Sequence, residues 1–142
     1  MDKEFDSVIK ELNKEHPIEE MVKFNDANIS DKIKDNTWLE VKYHDLYLKE
    51  KNELDSLLAL KDKIVGERYD YYIKGKLEDQ KTLREMTPKE IEKYYLPSDD
   101  KVIRINRLVQ KQQWRVDFFD MCRKAFNQQG WRMKNFLDAD KR

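Results

Sequence analysis

Hydrophobic and polar positions alternate with helical spacing over most of the chain, most clearly from Trp38 to Lys74. Apolar residues recur there every three or four positions and fill one arc of about 120° on a helical wheel, opposite Lys, Asp, Glu and Asn. No proline interrupts this stretch. The pattern predicts one helix ~55 Å long, with Asn36 or Thr37 as its N-cap. So long a rod cannot be buried by this chain alone, and we expect it to pack against partners.

Shorter helices are predicted on either side of this rod. Residues 4–15 form an amphipathic pattern that ends at His16 before Pro17, because proline disfavours a helical residue in front of it. Residues 25–36 are rich in Asn and Asp and predict a linker. Thr87 is a suitable N-cap with Pro88 at the first helical position, and this helix should stop before Pro97.

The last long helix is predicted to start at Ser98–Asp100 and to run to about Gln129, with Gly130 as its stop. A final apolar-faced segment, 131–138, follows. The apolar side of the helix changes near its middle: basic residues line one side early on, and aromatic residues occupy that side later. Two interpretations fit this switch. The helix packs against two partners, one of them a neighbouring subunit, or it belongs to one irregular core with a wide apolar arc.

The composition favours an all-α fold. The 142 residues include three glycines and three prolines, and 41% of them are charged. We therefore expect a long helical rod packed against a C-terminal helix, a small N-terminal helix and an oligomerising C-terminal segment. The predicted division places the long helix and a nucleic-acid site in residues 1–97, and basic helices for oligomerisation in residues 98–142.

The net charge of zero conceals a gradient along the chain. Residues 1–36 carry six basic and ten acidic side chains, whereas residues 101–142 carry eleven basic and four acidic ones. An acidic front and a basic rear indicate either an anionic partner such as nucleic acid or head-to-tail self-association.

The residues give little support for an enzyme or a metal protein. His16 and His44 are the two histidines, and neither has a Cys or acidic partner at metal-ligand spacing. The glycines are too far apart for a phosphate loop, so we expect no cofactor. The lone Cys122 is typical of a reducing compartment. With neither a membrane span nor a signal peptide in the pattern, we expect a cytoplasmic protein.

Charges interrupt the apolar arc at the end of the rod. Lys61 and Arg68 lie inside the arc, and Arg68 is followed by three tyrosines and two lysines before residue 77. Cations beside flat rings suit single-stranded nucleic acid, since phosphates need positive charge and unpaired bases need stacking surfaces. The alternative is that the tyrosines are core residues and the Lys and Arg stems extend over apolar surface.

Three segments in this order resemble the UvsY-type recombination mediator proteins of tailed phages. Glu67–Tyr72 with Gly75-Lys76-Leu77 resembles the family's R-x-x-Y-Y-x-G helix end. Tyr95–Ile103 is similar to its L-x-A-D-x-D-x-I/L entry into the C-terminal helix. Gly130–Lys134 stands where the family has an aromatic residue followed by x-I-K. The resemblance covers about residues 36–138.

The resemblance implies a non-enzymatic protein that binds single-stranded DNA. It also implies loading of the phage recombinase onto strands covered by single-strand-binding protein, and a ring-like homo-oligomer, a hexamer or heptamer, joined through C-terminal helices. Arg68 matches the family's basic DNA-contact position. Family members can carry a second basic residue two positions earlier, where this chain has Gly66, and Lys61 or Lys63 would take its place. The full predicted DNA site is Lys61, Lys63, Arg68, Tyr71, Tyr72, Lys74 and Lys76.

Self-assembly is expected through the second half of the last helix and the segment after Gly130. The predicted interface residues are Phe118, Phe119, Cys122, Phe126, Trp131, Met133, Phe136 and Leu137. The alternative function is a helical scaffold that binds no DNA and pairs its basic C-terminal helix with acidic segments of a partner.

Overall fold

The computed structural model describes residues 3–25, 27–75 and 87–140. The helices are α1 (Lys3–Glu15), α2 (Ile18–Met21), α3 (Ile29–Asp70), α4 (Pro88–Glu90) and α5 (Asp100–Asp140). A π-helical turn, Tyr71–Gly75, continues α3, and a second one, Ile91–Tyr95, continues α4. These ranges contain no strand. The predicted all-α fold, with a long helix packed against the C-terminal helix and a small helix at the N-terminal end, is confirmed.

The chain divides into two compact units, and both long helices contribute to each. The terminal unit contains the described residues up to Asn52 together with those from Gln113 onward. The middle unit contains the described residues between Glu53 and Gln112. The functional division between residues 97 and 98 stays a prediction.

The core of the terminal unit is aromatic. Tyr43 of α3 and Phe126 of α5 are completely buried, with ring centroids 5.0 Å apart. The phenol of Tyr43 lies 2.8 Å from Nδ1 of His16, and burial lowers the pKa of this imidazole. A bidentate ion pair also joins the two helices: Arg115 of α5 donates to the carboxylate of Glu50 of α3 at 2.7 and 3.2 Å. Each long helix therefore buries one face against the other.

The observed start of α3 differs from the prediction of a linker over residues 25–36. The side chain of Asn25 accepts hydrogen bonds from the backbone N–H groups of Ala27 and Asn28, which builds a turn, and the carbonyl of Asn28 accepts from Lys32. The helix begins at Ile29, so the linker assignment for residues 29–36 is wrong. Asn36 is not a cap; its buried amide donates to the Phe126 carbonyl of α5 at 3.1 Å. Polar composition suggested a loop, but these polar groups have partners in the packed helices.

The stop predicted at Gly130 is also wrong, because α5 continues through it to Asp140. A glycine inside a helix costs roughly 1 kcal/mol relative to alanine. Here it permits close packing, since a Cβ at this position would lie 2.9 Å from Oε1 of Glu40 and 3.3 Å from Nδ2 of Asn36. The glycine therefore marks the place where α5 approaches α3 closely, not a helix end.

The middle unit has its own small core. Ile91, Leu96, Val102 and Tyr72 are buried together, with other aromatic and aliphatic side chains packed around them. As predicted, Thr87 caps α4 by accepting from the backbone N–H of Glu90 at 3.2 Å. No helix in the described part of the chain is both long and apolar enough to cross a membrane.

Candidate single-stranded DNA interface

One carboxylate organises the middle unit around the predicted site. Oδ2 of Asp99 accepts from Nε of Arg68 at 2.8 Å and from the hydroxyl of Tyr72 at 2.7 Å. Its other oxygen accepts from the backbone N–H groups of Lys101 and Val102, so Asp99 is the N-cap of α5. Only 3% of this side chain is exposed. A single buried anion thus joins the end of α3 to the start of α5.

The pKa values in this cluster follow from these contacts. Burial alone would raise the pKa of Asp99, but hydrogen bonds from Tyr72, the Val102 amide and Arg68 outweigh burial and lower it. Burial raises the pKa of Tyr72, and its bond to the carboxylate acts in the same direction. At neutral pH the cluster holds an ionised Asp99, a cationic Arg68 and a neutral phenol, which is the protonation state that all of these bonds require.

Arg68 also stacks on the neighbouring aromatic ring. Its guanidinium carbon lies 4.1 Å from the ring centroid of Tyr71, an arrangement in which cation and ring attract each other. Tyr71 is 37% exposed, whereas Tyr72 is buried and its ring contacts Tyr95. Both tyrosines belong to the π-helical turn that continues α3, a local geometry that is frequent at functional sites. Tyr71 therefore keeps solvent-exposed ring surface beside a fixed positive charge.

The structure brings together only part of the predicted DNA site. Arg68, Tyr71 and Tyr72 contact one another. Lys63 and Lys74 are exposed on the same helical stretch, and Lys61 is half-buried there. Lys76 lies outside the described residues. Tyr72 is engaged with Asp99 in the core, which leaves Tyr71 as the predicted tyrosine that has surface for stacking.

Further cations and rings of the middle unit are absent from the predicted site. Tyr94 is 62% exposed, and Nζ of Lys93 lies 5.3 Å from its ring centroid. Arg104 and Arg107 are exposed on α5, and no acidic side chain pairs with either within the described ranges. In the sequence, these residues belong to the run Lys93-Tyr94-Tyr95 and to the basic side of the last helix. The local pattern does not indicate that either group lies in the same unit as Arg68.

The residues predicted to form the oligomer interface fall into two groups. Phe118, Phe119, Cys122 and Phe126 are buried in the core of the terminal unit, and Met133 is also buried. Burial raises the pKa of the Cys122 thiol to about 12, so this thiol stays protonated and unreactive. Trp131 and Phe136 are exposed and Leu137 is half-buried. Any assembly through this region can use the second group, because the first is already covered by its own chain.

The fold and these exposed groups are those of a helical binding protein that presents cations next to aromatic rings. Within the described ranges, no cluster of three His, Cys, Asp or Glu side chains could hold a metal ion. Residues 17–141 match the family described as "Recombination, repair and ssDNA binding protein UvsY". The chain belongs to the UvsY family. No curated protein and no solved structure matches it significantly.

Proposed function

We propose that this protein is a recombination mediator that binds single-stranded DNA and promotes loading of a phage recombinase onto strands covered by single-strand-binding protein. It would act without catalysis, in the cytoplasm of an infected bacterial host. Family membership over residues 17–141 carries this proposal, and the family description names recombination, repair and single-stranded DNA binding. The cation–ring pairs of the middle unit supply a physical route to such binding.

In this proposal the DNA backbone contacts exposed cations of the middle unit. Lys63, Lys74, Arg104 and Arg107 are exposed and would bind phosphates. Tyr71 and Tyr94 would stack on bases, which is sequence-tolerant because every base has a π-face. Arg68, the predicted phosphate contact, would also position the ring of Tyr71, since it pairs with Asp99 and stacks on that ring.

Mediation further requires that several such sites act on one strand. We propose a ring-like homo-oligomer joined through the outer face of α5 near Phe136 and Leu137. Phe136 packs edge-on against Phe24 and retains 36% exposure, which a neighbouring copy would cover. Linked sites of modest affinity gain roughly 10²–10⁴ in avidity when one strand reaches several of them.

The test is a loading assay with purified recombinase and strands coated with single-strand-binding protein, alongside light scattering to give the mass. We expect the parent protein to be oligomeric and to shorten the lag before recombinase filaments form. Phe136→Glu should fold normally, form smaller species and stimulate loading less, because a charge replaces an apolar contact and avidity falls. Phe126→Glu is the matched control: the same substitution in the core should lower the melting temperature instead.

Two outcomes would contradict the proposal. A monomeric parent at micromolar concentration would exclude assembly as the source of avidity. A parent that binds no single-stranded DNA and leaves the lag unchanged would favour the helical scaffold, whose basic α5 would then pair with acidic protein segments.

A further inference from the structure

A groove in the terminal unit has no role in the proposed middle-unit interface. It has a volume of about 550 Å³ and lies between α3 and α5. Its floor and walls include Val41 and His44 from α3, and Arg123, Lys124, Asn127 and Gln128 from α5. Together with Glu40, which also lines the groove, they provide apolar surface, amides that both donate and accept hydrogen bonds, two cations and one carboxylate.

An exposed indole, that of Trp131, lies on α5 one helical turn beyond the groove. Trp131 follows Asn127 by four residues and Gln128 by three, so all three side chains share one face of the helix. The indole is 60% exposed, and Nζ of Lys134 lies 5.3 Å from its ring centroid. The neighbouring Gly130 packs closely against side chains of α3. A large flat ring with a cation near its face therefore lies one helical turn beyond Asn127, which lines the groove.

The α5 wall supplies the two cations of the groove, Arg123 and Lys124. Between residues 121 and 137 the helix carries four basic side chains and no acidic one. At the edge of this wall, Asp120 pairs with Arg123 at 2.7 Å and with Lys124 at 2.9 Å. Lys124 is mostly exposed, and an exposed ion pair of this kind is weak enough for a phosphate to compete with it. Glu40 on the opposite wall accepts from the amide of Asn36 at 3.0 Å.

We propose that this groove is a second contact site for single-stranded DNA, in which Trp131 stacks on a base and Lys124 and Lys134 bind the flanking phosphates. Asn127 and Gln128 hydrogen-bond the edge of the stacked base. The site rests on the proposed function for its ligand. It belongs to the terminal unit, whereas Tyr71 and Tyr94 belong to the middle unit. Charge complementarity and the combination of ring, amides and cations favour a nucleotide over a second copy of the chain.

The experiment measures binding of a thymidine homopolymer by the full-length protein, using tryptophan fluorescence and anisotropy. Trp131→Leu should weaken binding about tenfold and remove most of the fluorescence quenching, since stacking on an aromatic side chain supplies this much per base. Trp131→Tyr should restore most of the affinity. Lys124→Gln, an exposed change, should reduce the slope of log K against log salt by roughly 0.7.

The chain offers a matched control in Trp38. This indole is 62% exposed and has Nζ of Lys42 at 5.1 Å, but it belongs to α3, whereas the cations and amides of the proposed contact belong to α5. Trp38→Leu should leave affinity within twofold of the parent.

If Trp131→Leu binds as the parent does, or weakens binding no more than Trp38→Leu, the groove is not a DNA site although the proposed function stands. If Trp131→Leu has a smaller oligomer mass than the parent in the absence of DNA, the groove is instead a contact between copies of the chain. A parent that binds no oligonucleotide would overturn both proposals.

Discussion

Asp99 joins the end of α3 to the start of α5 through hydrogen bonds. It accepts four hydrogen bonds, from Arg68, Tyr72 and two backbone amides of α5. Removing one partner of such a buried group leaves a charge with less compensation, which costs more than the pair contributes as a whole. Arg68 therefore has a structural role beside any contact with DNA, and substitutions at this position must be examined for both.

We predict that Arg68→Ala lowers the free energy of unfolding by about 1–3 kcal/mol, because Asp99 loses a charge-assisted hydrogen bond. Urea denaturation followed by circular dichroism measures this loss. The matched control is Arg104→Ala, an exposed arginine of the same unit, which should change stability by less than about 0.5 kcal/mol. Equal stability of Arg68→Ala and the parent would show that the ion pair is unimportant for folding.

The same cluster has an acid dependence of defined sign. The pKa of Asp99 is lowered in the folded protein, so the unfolded chain binds its proton first and folding stability falls as the pH decreases. The contribution of Asp99 to folding stability is complete above its ordinary pKa of 3.8. It is lost as the pH falls below 3.8 toward the lowered pKa of the folded protein. Arg68→Ala should make this dependence shallower, which acid denaturation of the two proteins compares directly.

At the level of single residues, the sequence identified Arg68 but not its partner. A charge inside an apolar arc must be compensated, so the arginine could be noticed from the pattern alone. For Asp99 the pattern indicates only a helix start at Ser98–Asp100, because nothing in the spacing of 31 residues indicates that the two side chains meet. The alternative interpretation, in which tyrosines of this region are core residues, is correct for Tyr72 and not for Tyr71.

The two long helices show which sequence signals fix an element and which do not. Apolar periodicity located α3 and α5 correctly, whereas the start assigned to α3 from polar residues and the stop assigned to α5 at Gly130 were wrong. Asn36 and Gly130 are helical because each serves a contact with the other helix. Such contacts join residues about 90 positions apart, so a local pattern could not reveal them.

The glycines of the two helices lead to a paired prediction. At Gly66 an added Cβ would meet nothing within 4 Å, and Gly66→Ala should raise the free energy of unfolding by roughly 0.5–1 kcal/mol through helix propensity. At Gly130 the added Cβ would displace the flexible end of Glu40 at little cost, but it would also press on the buried Asn36 amide, which its bond to the Phe126 carbonyl holds in place, so Gly130→Ala should lower stability despite the same gain in propensity. Thermal melts of both variants beside the parent measure the difference. Equal stabilisation by the two substitutions would contradict the close approach of α5 to α3.

For the whole molecule, the sequence indicated the class of fold and the family, but not which apolar surface faces a partner. An apolar helix face indicates that other residues cover it, but not which chain they belong to. In α5, Phe118, Phe119 and Phe126 are covered by residues of the same chain. The switch of the apolar side along this helix therefore does not require a neighbouring subunit. Only the exposed positions, such as Phe136, retain the surface that assembly would need.

The measurement that tests the central proposal most directly is equilibrium binding of a thymidine homopolymer across a range of salt concentrations. If several cations of the middle unit bind phosphates, affinity must fall steeply with salt, with a slope of roughly −0.7 for each phosphate neutralised. Replacing Lys63, Lys74 and Arg104 by Gln should flatten the slope by roughly 2 while the melting temperature stays unchanged. Binding that is independent of salt, or a triple variant with the slope of the parent, would contradict a DNA interface at the middle unit.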